Sequence, residues 1–155
     1  MNEVKKSTRR IGRLAFVLVA VHLLFSLAID YTLSSGAMKD PTLFITMERI
    51  SYVLLVLSLA FAALHGLAIF LDPHIDGFQV FIGLVEAAYF CGGILPAIFI
   101  FQALFVDPGV YQKILANSTM TFLMSLGLLL GVLVVFLHLV HFFFFKDDEP
   151  RKESQ

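Results

Sequence analysis

Residues 50–71 read ISYVLLVLSLAFAALHGLAIFL, an apolar run of 22 residues with one ionisable side chain, His65, inside it. At a helical rise of ~1.5 Å per residue, such a run spans the ~30 Å hydrocarbon core of a bilayer. Three more runs accompany it, at Ile11–Ile29, Phe78–Val106 and Met120–Phe145, and each carries a misfit of its own. These are His22 in the first, Glu86 in the third, and His138 with His141 in the last. Hydrocarbon cannot solvate an ionisable group, so residues of this kind face a bundle interior or a wet cavity. The sequence therefore predicts an all-α, integral membrane four-helix bundle with antiparallel up-down topology. Residues 1–10 read as a basic tail and residues 146–155 as a polar one.

Composition agrees. Of 155 residues, 59% are hydrophobic and only 15% charged, against about 25% charged in a soluble domain. The mean hydropathy is +0.88. A net charge of −1 gives no footprint for nucleic acid. The single cysteine, Cys91, excludes an intrachain disulfide and any two-thiol redox pair. The basic start followed by an apolar run has the outline of a signal peptide. That run, however, is long, contains His22 and ends in Ile29-Asp30-Tyr31, where a cleavage site would show small residues. It reads as a retained first helix.

Lys and Arg set the expected orientation. Eight of them lie on the two tails, while Lys39, Arg49 and Lys113 fall in the first and third loops. Basic residues favour the cytoplasmic side, so both termini are expected there. Asp72-Pro73 and Asp107-Pro108-Gly109 read as helix stops, and Ser118 or Thr119 as the cap of the fourth helix. A short surface helix is expected at Pro41–Arg49, ahead of the second span. In the long third run, Gly92-Gly93 and Pro96 predict a kink.

At 100° per residue the misfits fall on stripes of small residues. The stripes are Gly12, Ala15, Val19, His22 and Ser26; then Ser51, Ser58, Ala62 and His65. On the third helix they are Gln79, Gly83, Glu86, Gly93 and Ala97, and on the fourth Gly127, Gly131, Val134, His138 and His141. Small residues let membrane helices approach closely, so Gly83, Gly93, Gly127 and Gly131 are expected on packing faces. Counted from the cytoplasmic ends, His65 and His138 lie about 9 and 10 Å deep, Glu86 about 13 Å and His22 about 16 Å. His141 is shallower, at about 6 Å.

No motif of a known chemistry accompanies this seam. The first expectation is a protein without catalytic activity of its own, an accessory or scaffold subunit of a larger membrane complex. Its partners would be the lipid bilayer and either other membrane subunits or copies of itself, in a bacterial inner or plasma membrane. The alternative is electron transfer through haem b, with His65 and His138 as axial ligands and His22 in reserve, or through a quinone in the same cavity. A further alternative is a proton- or ion-conducting element in which Glu86 and His141 relay protons. A carboxylate–histidine metal site ranks below haem. Bundle di-metal sites draw on several Glu residues and Glu-x-x-His spacing, and this chain has one Glu within its spans.

Overall fold

Helix ends in this chain are set by short polar side chains placed ahead of apolar runs. The computed structural model describes residues 2–37, 40–72, 76–107 and 116–144, with side chains from residue 7 onward. It contains four helices: α1 (Asn2–Ser34), α2 (Pro41–Phe70), α3 (Gly77–Phe101) and α4 (Ser118–Phe144). A π-helical turn, Gln102–Val106, extends α3. All four helices are long and apolar enough to cross a membrane.

The Asp40 carboxylate accepts from Thr42 N–H at 2.9 Å, and Pro41, which has no N–H to satisfy, takes the first helical position. This cap starts α2 nine residues before the expected span, so Pro41–Arg49 is the first part of α2 and not a separate surface helix. Asp76 caps α3 in the same way, accepting from Gln79 N–H at 2.8 Å. On α4 the cap is Asn117, whose Oδ1 accepts from Thr119 and Met120 N–H at 3.0 and 3.2 Å. The expected Ser118 and Thr119 are instead the first residues of the helix. Past the end of α1, Gly36 adopts φ +68°, the left-handed conformation that terminates helices at low cost in glycine.

Pro96 lies inside an uninterrupted α3. The departure from α geometry comes later, where Asp107 N–H reaches back five residues to Gln102 O at 2.9 Å. Arg49 of α2 holds this turn: its guanidinium donates to Leu104 O at 3.2 Å and lies 5.2 Å from the Phe105 ring centroid. Tyr52 packs on Phe101 and Phe105 beside it.

Contacts between helices pair early residues with late ones, so successive helices run antiparallel. Gly12 of α1 meets His65 of α2, Gly66 of α2 meets Gly83 of α3, and Phe78 at the start of α3 stacks on His141 at the end of α4, while Gly131 of α4 meets Tyr89 of α3 at mid-helix. The ring closes where Val19 and Leu23 of α1 also reach Gly131. The core between the helices is Val19, Leu59, Ala62, Ile69, Ile82, Tyr89 and Val134, with their buried neighbours.

The expected small-residue faces are largely where the helices meet. A Cβ built on Gly83 would lie 3.0 Å from Ile69, and one on Gly93 would lie 2.6 Å from Leu59. One on Gly131 would lie 3.2 Å from the Tyr89 ring. Gly127 differs: nothing stands within 4 Å of its Cβ position. One helical turn separates it from Gly131, and in that turn α4 leaves the close contact.

Candidate functional site

Three of the four helices each send one ionisable side chain to a common point. Glu86, on α3, is completely buried. His65 Nδ1 approaches its carboxylate at 2.8 Å from Oε2 and 3.0 Å from Oε1. His138 Nε2 approaches Oε1 at 2.9 Å. An ionised carboxylate only accepts, so both imidazole nitrogens present N–H to it. Sequence separations of 21 and 52 residues become bonding distances because adjacent helices are antiparallel and the three residues sit at matched depths.

The two imidazole rings lie 5.3 Å apart between centroids, tilted by 33°. Opposite Glu86, α1 closes the cluster. Phe16 packs on His138 with ring centroids 5.9 Å apart. Gly12 faces the far nitrogen of His65, and a Cβ at that position would stand 2.5 Å from Nε2. Glycine at residue 12 is thus what lets the His65 ring sit where it does. On the α2–α3 side a Cβ at Gly66 would lie 3.3 Å from Gly83 O, so the two backbones nearly touch beside the cluster.

His22 and His141 stand apart from these three. His22 Nε2 lies 3.4 Å from Ser26 Oγ, which in turn is 3.1 Å from Ser51 Oγ. The buried Nδ1 of His22 has no hydrogen-bond partner among the described residues. A neutral imidazole whose unprotonated nitrogen faces inward tolerates this better than an N–H would. His141 stacks on Phe78, with 6.2 Å between centroids and 5° between planes, and its Nε2 lies 3.4 Å from Gln79 Nε2. A third polar contact, not anticipated from the sequence, ties α2 to α3. Ser58 donates its one hydroxyl hydrogen to Leu55 O at 2.8 Å, so Tyr89 O–H is the donor in the 2.8 Å Ser58–Tyr89 bond. The signal for it was present in the stripe that carries Ser58.

Two imidazoles and one carboxylate can lock helices, exchange a proton, or ligate a cation. No protein-family model, curated protein or solved structure matches this chain.

Proposed function

We propose that this chain is a small multi-pass membrane protein, with both termini in the cytoplasm, that acts by association as an accessory or scaffold subunit of a larger membrane complex. What supports this reading is the separation of polar from apolar chemistry. His65, Glu86, His138, Ser58 and Tyr89 spend polar atoms on one another inside the bundle. Outward, the helices present residues such as Leu24, Leu64, Leu84, Leu129 and Phe136, all exposed. Only 17–33% of each apolar span is buried inside the bundle, which leaves most of the lateral surface to lipid or to neighbouring helices.

Purification of the full chain in mild detergent tests the association directly. A second membrane protein, or a defined number of further copies, should co-elute at fixed stoichiometry through successive columns. A monodisperse monomer, stable without any such partner, overturns the reading. For orientation, single cysteines placed at positions 35 and 116 in a Cys91→Ala background should react with an impermeant thiol reagent in intact cells. A cysteine at position 8 should react only after lysis. Labelling at position 8 from outside reverses the assignment.

A haem b held by His65 and His138 draws less support from this arrangement. Axial imidazoles must face each other across iron, with a flat macrocycle extending sideways between them. Here both ring nitrogens face Glu86, and Gly12 and Phe16 of α1 lie against the rings on the other side. These residues do not offer the slot that a macrocycle requires.

A further inference from the structure

We propose that His65 Nδ1, a carboxylate oxygen of Glu86 and His138 Nε2 form a three-ligand site for a divalent transition-metal cation of the zinc class, inside the bundle. The donor atoms all lie within 4.8 Å of one another, and the two imidazole–carboxylate edges are 2.8 and 2.9 Å. Ligand bonds of ~2.0–2.2 Å in a tetrahedral shell place the donors roughly 3.4 Å apart. Admitting the ion therefore asks the carboxylate to withdraw from each imidazole by roughly 0.5 Å.

The donor set selects the cation. Two imidazole nitrogens and one carboxylate suit zinc and its first-row neighbours. Magnesium and calcium take oxygen donors, and this cluster offers too few. Cys91 is exposed, outside the three-residue cluster, so soft thiolate chemistry is not available to the site. Hydrogen bonding alone does not require the second histidine. One imidazole already gives the carboxylate a partner, and the second ring stands only 5.3 Å from the first.

Ligation needs a lone pair on each of the two imidazole nitrogens that otherwise face Glu86 as N–H, so metal and protons compete for the same donors.

The test uses the untagged full chain in detergent, stripped with a chelator and titrated with Co2+ as the spectroscopic probe. One Co2+ per chain should bind with the visible bands of a four-coordinate nitrogen–oxygen site, and Zn2+ should displace it. Glu86→Gln and His138→Gln should each lower Co2+ affinity at least tenfold while circular dichroism shows the helices intact. Two variants are included so that the failure of one to fold does not decide the matter. His22→Ala, outside the cluster, should bind as the unaltered chain does. Absence of Co2+ bands, or equal affinity in both Gln variants, overturns the proposal; so does a Soret band in the purified protein that is lost with His138→Gln. The measurement needs no partner subunit, so its outcome is independent of whether the chain works by association.

Discussion

Glu86→Ala is expected to destabilise the bundle by about 3 kcal/mol or more, the range for removing one partner from a buried charged pair. It should exceed the loss from either His65→Ala or His138→Ala. The asymmetry follows from connectivity. Glu86 is the hub: both imidazoles reach its carboxylate, whereas each histidine touches only one of the other two through a ring nitrogen. Removing the carboxylate strands two N–H donors at once in a place closed by α1, and leaves a cavity where a fully buried side chain stood. Removing one histidine leaves the other still paired with Glu86. Interhelical polar contacts in membranes are commonly worth about 0.6–2 kcal/mol, because helices separated in lipid find substitute partners. Each histidine variant belongs in that range. Glu86→Gln keeps one acceptor and the shape, and should fall between the two. Unfolding in detergent by heat or by a denaturing surfactant measures all four variants on one scale. A Glu86→Ala protein no less stable than the histidine variants would show that the carboxylate is not the hub.

How this cluster could be read from the sequence, and how far, turns on depth and rotation. Wheel angles placed each misfit on a stripe of small residues, and the rise from the helix ends put His65, Glu86 and His138 within a few ångström of one level. Those two coordinates suffice to bring three side chains together once neighbouring helices are known to be antiparallel. They do not say which polar atom meets which. His22 satisfied the same stripe test, yet it bonds within its own helix to Ser26, whose hydroxyl in turn reaches across to Ser51. Depth alone separated it from the two histidines by roughly 6–7 Å, but from Glu86 by only about 3 Å. The haem expectation treated the histidines as a pair and Glu86 as a bystander. Their geometry makes the carboxylate the centre, and that raises a cation above a macrocycle.

Helix boundaries were harder to read for a local reason. An apolar run marks where a helix can be buried, not where its hydrogen bonding begins. Asp40-Pro41 carried a cap and a first-turn proline in plain view, but the charged pair Glu48-Arg49 interrupts hydropathy and drew the boundary inward. Arg49 is compatible with the helix because it reaches along the surface to Leu104 O and Phe105. That same contact lies at the end of the third run. The expected distortion at Pro96 was assigned from the clash of proline's ring with the Gly92 carbonyl, whereas the change in winding falls at Gln102–Val106, where Arg49 of α2 donates to the Leu104 carbonyl, which Pro108 four residues on has no N–H to satisfy. A tertiary contact of this kind leaves no trace in local sequence.

Gly131→Leu and Gly127→Leu, one turn apart on α4, are expected to have opposite effects. A Cβ at Gly131 meets Tyr89 Cε2 at 3.2 Å, Leu23 Cδ2 at 3.4 Å and Val19 Cγ1 at 3.6 Å. Those atoms belong to α3 and α1, so the clash cannot be relieved by moving one neighbour aside. The remaining three carbons of leucine would force α4 away from both helices. Overpacking commonly costs about 1–3 kcal/mol. Here the displacement would also lengthen the His138–Glu86 contact two turns along the same helix, so the upper end is expected. At Gly127 no atom lies within 4 Å, and a side chain there extends into open space. Replacing glycine in a helix by a residue of good helical propensity contributes about 0.5–1 kcal/mol of stability. Gly127→Leu should therefore melt at or slightly above the unaltered chain, and Leu129→Ala, at an exposed position, should change little. The contrast rests on rotation and crossing of one helix, since both glycines share a stripe and both fit the spacing of close-packed membrane helices. Thermal unfolding of the three variants in one detergent reads it out. Equal destabilisation by leucine at residues 127 and 131 would mean that α4 keeps its close approach for a turn beyond Gly131, and that the crossing lies nearer the start of the helix.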